Sequence, residues 1–98
     1  MSTKTKIKGG VMDFINSKGM NSPAIITTFN RFGCCAVSVN ANLIEEGELK
    51  GAIKGDFIRI NDKIPIYVPK YIANKFKSLT FKLFKTKYST AILVEEEE

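Results

Sequence analysis

At 98 residues the chain has room for one hydrophobic core and not for two. Its 44% apolar and 26% charged residues are the mix of a folded domain, and no window approaches the roughly 18 apolar residues of a membrane helix. The net charge of +5 hides an asymmetry: residues 1–94 hold fifteen bases against six acids (ten in all, less the last four), a body of +9, and residues 95–98 are all glutamate.

Met1 to Gly10 is polar and basic, with Lys4, Lys6 and Lys8 ahead of Gly9-Gly10, and reads as a flexible basic arm. No apolar run follows it, so no signal peptide is read and a cytoplasmic setting is expected. Val11, Phe14 and Ile15 fall at i, i+3 and i+4, which predicts a short helix over 11–18 closed by Gly19 in the C′ position. After the Ser22-Pro23 breaker, Ala24 to Phe29 is β-branched and predicts a strand, with Asn30 to Gly33 turning the chain or carrying a bulge. Cys34 to Asn40 alternates, with Cys35, Val37 and Val39 on one face, as a half-buried strand does. Asn42 to Gly55 reads as a charged connection pinned by Leu43, Ile44 and Leu49.

Phe57 to Ile60 predicts the next strand, with Ile58 and Ile60 inward and Phe57 and Arg59 on the outer face. Asn61-Asp62 turns, and Ile64 to Val68 reads as a strand whose Pro65 places it at a sheet edge. Pro69 suits the start of a helix over 70–78 that points Ile72, Phe76 and Leu79 inward. Residues 79–85 and 88–94 alternate again about a turn near Thr86-Lys87 and form a hairpin. The tally is five or six short strands and one or two short helices. The fold class is therefore mainly β, and a small barrel of the oligonucleotide-binding (OB) type accommodates it with few edges. The organisation is an arm at 1–10, a domain at 11–94 and an acidic tail at 95–98.

The residue inventory argues against an enzyme. There is no histidine, the commonest general base, and two cysteines alone cannot build a structural zinc site. Gly47, Gly51 and Gly55 are spaced by four with no Lys-Ser or Lys-Thr following, so no phosphate-cradling loop is present. No cofactor is expected. Cys34 and Cys35, side by side, point to opposite faces if the strand is regular, which predicts two reduced thiols and no bridge.

The stretch from Lys63 to Val94 carries the functional signal. Lys63, Lys70, Lys75, Lys77, Lys82, Lys85 and Lys87 lie in it without one acid, together with six of the ten aromatics. Single-strand nucleic-acid binding needs cations that track phosphates and flat rings on which bases stack. Phe84 falls on the face opposite Phe81 and Leu83, beside Lys82, and is the first stacking candidate. Phe57 with Arg59 is the second, and Tyr67 and Tyr71 beside Lys70 follow. Arg31 adds a phosphate contact, while Phe76 and Phe81 are expected in the core.

A basic body followed by Glu95–Glu98 resembles, in its layout, the acidic-tailed single-stranded DNA-binding proteins of bacteria, phages and other viruses. The stacking tryptophans of that family are absent, so stacking falls here to Phe and Tyr. The resemblance implies a non-enzymatic protein that coats single-stranded DNA or RNA, self-associates, and uses its tail to modulate binding. No membrane partner is expected. The alternative is a small interaction or inhibitor protein that grips a protein partner through an exposed strand edge at Ile64–Val68 or Ala91–Val94.

Overall fold

The computed structural model describes residues 3–33, 36–49 and 56–97. Among these, seven strands, two short α-helices and one 3₁₀ turn follow in order: β1 (Lys4–Ile7), α1 (Val11–Ser17), β2 (Pro23–Phe32), β3 (Ala36–Glu45), the 3₁₀ turn (Glu46–Glu48), β4 (Phe57–Asn61), β5 (Pro65–Pro69), α2 (Lys70–Lys75), β6 (Ser78–Lys85) and β7 (Thr90–Glu97). The protein is mainly β. Its strands form two sheets, one of three strands in the order β1-β6-β7 and one of four in the order β3-β2-β5-β4. No pairing joins β3 to β7, so the sheets do not close into a barrel.

Alternation sets the core. In the four-stranded sheet Ile25, Val39, Ile66 and Val68 point inward, and in the three-stranded sheet Ile7, Leu79, Phe81 and Val94 do. Val11 and Ile15 of α1 and Ile72 of α2 complete the contact. Each large side chain so buried contributes about 1.5–3 kcal/mol, which is what holds two helices of seven and six residues that could not stand alone. The α1 helix ends as its sequence predicts, with Gly19 at φ +65 after the Lys18 cap. Thr27, fully buried where the short parallel β2–β5 ladder stops, donates its hydroxyl to the Tyr67 carbonyl at 2.8 Å.

Several expectations are corrected. Lys4 to Ile7 is not a free arm but a strand parallel to β6, with Ile7 opposite Phe81. The alternation Thr3-Lys4-Thr5-Lys6-Ile7 hides a strand behind its charge: Thr3 and Ile7 are buried while Lys4 and Lys6 face out. At the other end, Glu95, Glu96 and Glu97 are not a tail: they lie in β7 opposite Thr80, Leu79 and Ser78. Ladder hydrogen bonds outweigh the repulsion of exposed carboxylates on an edge strand, and the Lys77 amide closes the end on the Glu97 carbonyl at 2.6 Å.

The Asn30–Gly33 turn is displaced as well. β2 runs through Arg31 to Phe32, and Asn42 to Glu45 belongs to β3 and not to a connection. β5 is interior, between β2 and β4, not an edge. Pro65 and Pro69 are tolerated there because they stand at its two ends. The second helix stops at Lys75, and Phe76 is already extended, so Leu79 reaches the core from β6. The strand start at Cys34 and Cys35 and the segment 50–55 lie outside the described residues.

Candidate functional site

The residues singled out in the sequence do not share one groove. They fall in three places. On the outer face of the four-stranded sheet, Arg59 stands opposite Tyr67 in the β4–β5 register, and both reach Glu46 of the 3₁₀ turn. The Arg59 Nε donates to Glu46 Oε2 at 2.8 Å and the Tyr67 hydroxyl donates to the same oxygen at 2.6 Å. Arg59 also hydrogen-bonds the Asn61 side chain. The guanidinium, and after it the Tyr67 hydroxyl, hold the Glu46 carboxyl below its ordinary range. Donation to Glu46 in turn pushes the Tyr67 phenol up and strengthens the hold of Arg59 on its proton. Phe57, half-buried, is two residues before Arg59 on the same strand. This is a closed network with its own anion in place.

The second place lies toward the free end of the β2–β3 hairpin. Phe29 and Arg31, successive on one face of β2, meet Tyr71 at the start of α2. The Phe29 and Tyr71 rings lie 5.1 Å apart with a 30° tilt, and the Arg31 guanidinium sits 4.7 Å from the Tyr71 ring centre. Such a stacked guanidinium contributes about 0.5–1 kcal/mol at an exposed site. Arg31 draws the Tyr71 phenol below its ordinary value, with a smaller contribution from Lys75 one helical turn on. Phe32, 59% exposed, points to the opposite face. The hairpin it ends is held by ten paired positions, the last of them Phe32 opposite Ala36.

The third place is the outer face of the three-stranded sheet. Phe84 is 51% exposed there, as the alternation of its strand requires, and Phe81 on the opposite face is fully buried. Lys82, two residues before Phe84, is held by Glu95 of β7 at 3.2 Å. The remaining cations are scattered: Lys63 in the β4–β5 turn, Lys70 at the head of α2, Lys77 after it, Lys85 at the end of β6, and Lys87 5.8 Å from the Tyr88 ring in the hairpin turn. The basic stretch is contiguous in sequence but dispersed in space, because successive strand residues point to opposite faces.

Glu46 and Phe29 were not among the residues picked out by sequence, although both organise clusters. Glu46 stood in an acidic run whose partners lie 13 and 21 positions away, which no local pattern exposes. Phe29 was visible only as one more apolar strand residue. Between the edges of β3 and β7 lies an open groove of about 490 Å³, lined by Phe14, Lys18, Ala41, Leu43, Ala91 and Ile92 among others. No helix among the described residues is long and apolar enough to cross a membrane.

Comparison with known proteins finds no curated protein and no solved structure that matches. Residues 3–97, nearly the whole chain, match the family described as "CC/Se motif containing family". The chain belongs to that CC/Se motif family.

Proposed function

We propose that the protein works through the thiols of Cys34 and Cys35 as a dithiol exchange protein. The observation that carries this is the family description together with the chain's cysteine content: Cys34-Cys35 is its one Cys-Cys pair, and no other cysteine occurs. Read as a motif carried by two cysteines or by selenium in their place, CC/Se favours nucleophilic or redox chemistry over packing, since a selenol differs from a thiol mainly in acidity and exchange rate. The described frame fits that use. The two cysteines and Gly33 are the three residues between Phe32 and Ala36, the last paired positions of β2 and β3. Arg31, three residues before Cys34 in the sequence, is stacked on Tyr71.

In the step proposed, one cysteine thiolate attacks a disulfide R–S–S–R and forms a mixed disulfide, releasing RS⁻. The neighbouring thiolate then displaces the second RS⁻, joining Cys34 to Cys35 in a bridge between adjacent residues, which a regular strand does not allow and which requires an irregular backbone at that point. The two cysteine protons end on the two RSH products, the substrate gains two electrons and the protein loses them. The test is iodoacetamide alkylation rate against pH for the intact protein and for Cys34→Ser and Cys35→Ser, with mass spectrometry after incubation with oxidised glutathione. One thiol titrating below the ordinary value of about 8.5, with a glutathione adduct or a loss of two hydrogens, supports the proposal. Two slow thiols at or above that value and no adduct reject it.

A second function, single-stranded nucleic-acid binding, is favoured by one specific observation. Arg31 and Tyr71, 40 positions apart, come together beside Phe29. On that account the Phe29 and Tyr71 rings stack bases and Arg31 contacts phosphate. Fluorescence anisotropy of labelled oligo-dT over a salt series decides it. Salt-sensitive binding that Arg31→Ala weakens supports it. Absence of binding at about 50 mM salt removes it.

A further inference from the structure

We propose that the outer face of the three-stranded sheet is the contact through which two copies of this chain form a symmetric dimer. That face carries two exposed large apolar side chains close together, Phe84 at 51% and Leu93 at 43%, with Ala91 between them in register. Its neighbours are charges of both signs. Lys4 and Lys6 stand on the β1 side, Lys82 on the central strand, and Glu95 and Glu97 on the β7 side. A polyanion or an anionic membrane is repelled by those glutamates, whereas a second copy of the same face can set Lys82 against Glu95 and Glu95 against Lys82.

The register says how the copies meet. Phe84 is paired with Ala91 and Lys82 with Leu93 across β6 and β7. A two-fold axis parallel to the strands, running between β6 and β7, lays β6 of each copy over β7 of the other. The large Phe84 ring then fills the space left by the small Ala91 of the second copy and packs on its Leu93, twice by symmetry. Lys82 and Glu95, which lie 3.2 Å apart within one chain, can also bridge to Glu95 and Lys82 of the other, since β6 of each copy lies over β7 of the other. Such an isologous contact closes on itself and leaves no surface for further growth. The glutamates along β7 serve a second purpose, keeping that edge from pairing strand to strand. Nothing in this rests on the cysteine chemistry.

The experiment is native mass spectrometry with sedimentation equilibrium on the full chain, from micromolar to near-millimolar protein. The wild type is expected to be a dimer. Phe84→Asp is expected to weaken it on the order of 30-fold or more, as loss of a central aromatic does, with an unchanged far-ultraviolet circular dichroism spectrum. Lys82→Glu and Glu95→Lys are each expected to weaken their own dimer on the order of ten-fold. Mixing those two variants should restore association as a mixed dimer, an outcome that a purely intramolecular Lys82–Glu95 pair does not produce. A monomeric wild type over the whole range overturns the proposal. So does a folded Phe84→Asp that associates like the wild type, or a mixture of the two charge variants that forms no mixed dimer.

Discussion

The outer faces of the two sheets solve the same problem in opposite ways. On the four-stranded sheet the polar groups find partners within the chain: Arg59 and Tyr67 converge on Glu46, and Phe57 is half-buried beside them. On the three-stranded sheet Lys82 of the central strand pairs with Glu95 of β7, while Phe84 and Leu93 remain in water. Among the described residues the first face closes its polar groups and leaves only Phe32, at the hairpin end, 59% exposed, whereas the second leaves Phe84 and Leu93 exposed together. Aromatic content alone could not have told them apart, because each holds a ring flanked by a cation. The difference lies in whether an acid from elsewhere in the chain reaches that cation, and whether apolar surface is left over when it does.

The largest expected effect separates the two sides of β6. Phe81→Ala, on the inner side, should cost about 3–5 kcal/mol in urea unfolding, the range for deleting a buried aromatic ring. Phe84→Ala, three residues on, should move stability measured on the monomer by no more than about 0.5 kcal/mol. Equal losses for the two would mean that the outer face is covered within the monomer, and the contrast drawn above would be gone.

A smaller effect is expected beneath the other face. Thr27→Val keeps the shape and removes the hydroxyl that serves the Tyr67 carbonyl, so it should cost about 1 kcal/mol by the same measurement. A neutral or stabilising result would show that β5 holds its place without that bond.

The smallest effect is on titration. With Glu46 held low by Arg59, the stability it adds is present above the ordinary carboxyl value of 4.5 and is lost as pH falls through the lower folded value. Tyr67 is shifted up, so its contribution is present below the ordinary phenol value of 10.0 and is lost as pH rises through the higher folded value. Carboxyl titration by NMR should find Glu46 moving upward in Arg59→Ala. If the Glu46 titration does not move in that variant, the network is not holding the carboxylate, and the four-stranded face does not close its polar groups.

Much of this was legible along the chain. The alternation of Phe81, Leu83 and Phe84 placed Phe84 outside, and Val11, Ile15 and Gly19 marked the first helix and its end. Local signals failed where charge masked periodicity. Lys4 and Lys6 made a strand look like an arm, and Glu95 to Glu97 made one look like a tail, because an edge strand can carry charge on its exposed positions without losing its ladder. Pro65 suggested an edge for a strand that proved central, since proline is excluded from a ladder only where its missing N–H is needed. The Cys-Cys pair was plain to see, and its residue types alone argued for two reduced thiols without a bridge. Only the family match gave it weight.

Composition and period-two patterning determined, by themselves, that these residues are mainly β with a basic body and which side of most strands is apolar. Those are local properties, settled by how neighbouring side chains point. Tertiary structure decided the rest: that the strands make two unjoined sheets, that Glu46 takes Arg59 and Tyr67, that Arg31 lies on Tyr71, and that Phe84 and Leu93 are left exposed together. Each of these depends on pairings between residues far apart in the chain, and a pattern read along the chain holds no distance between them.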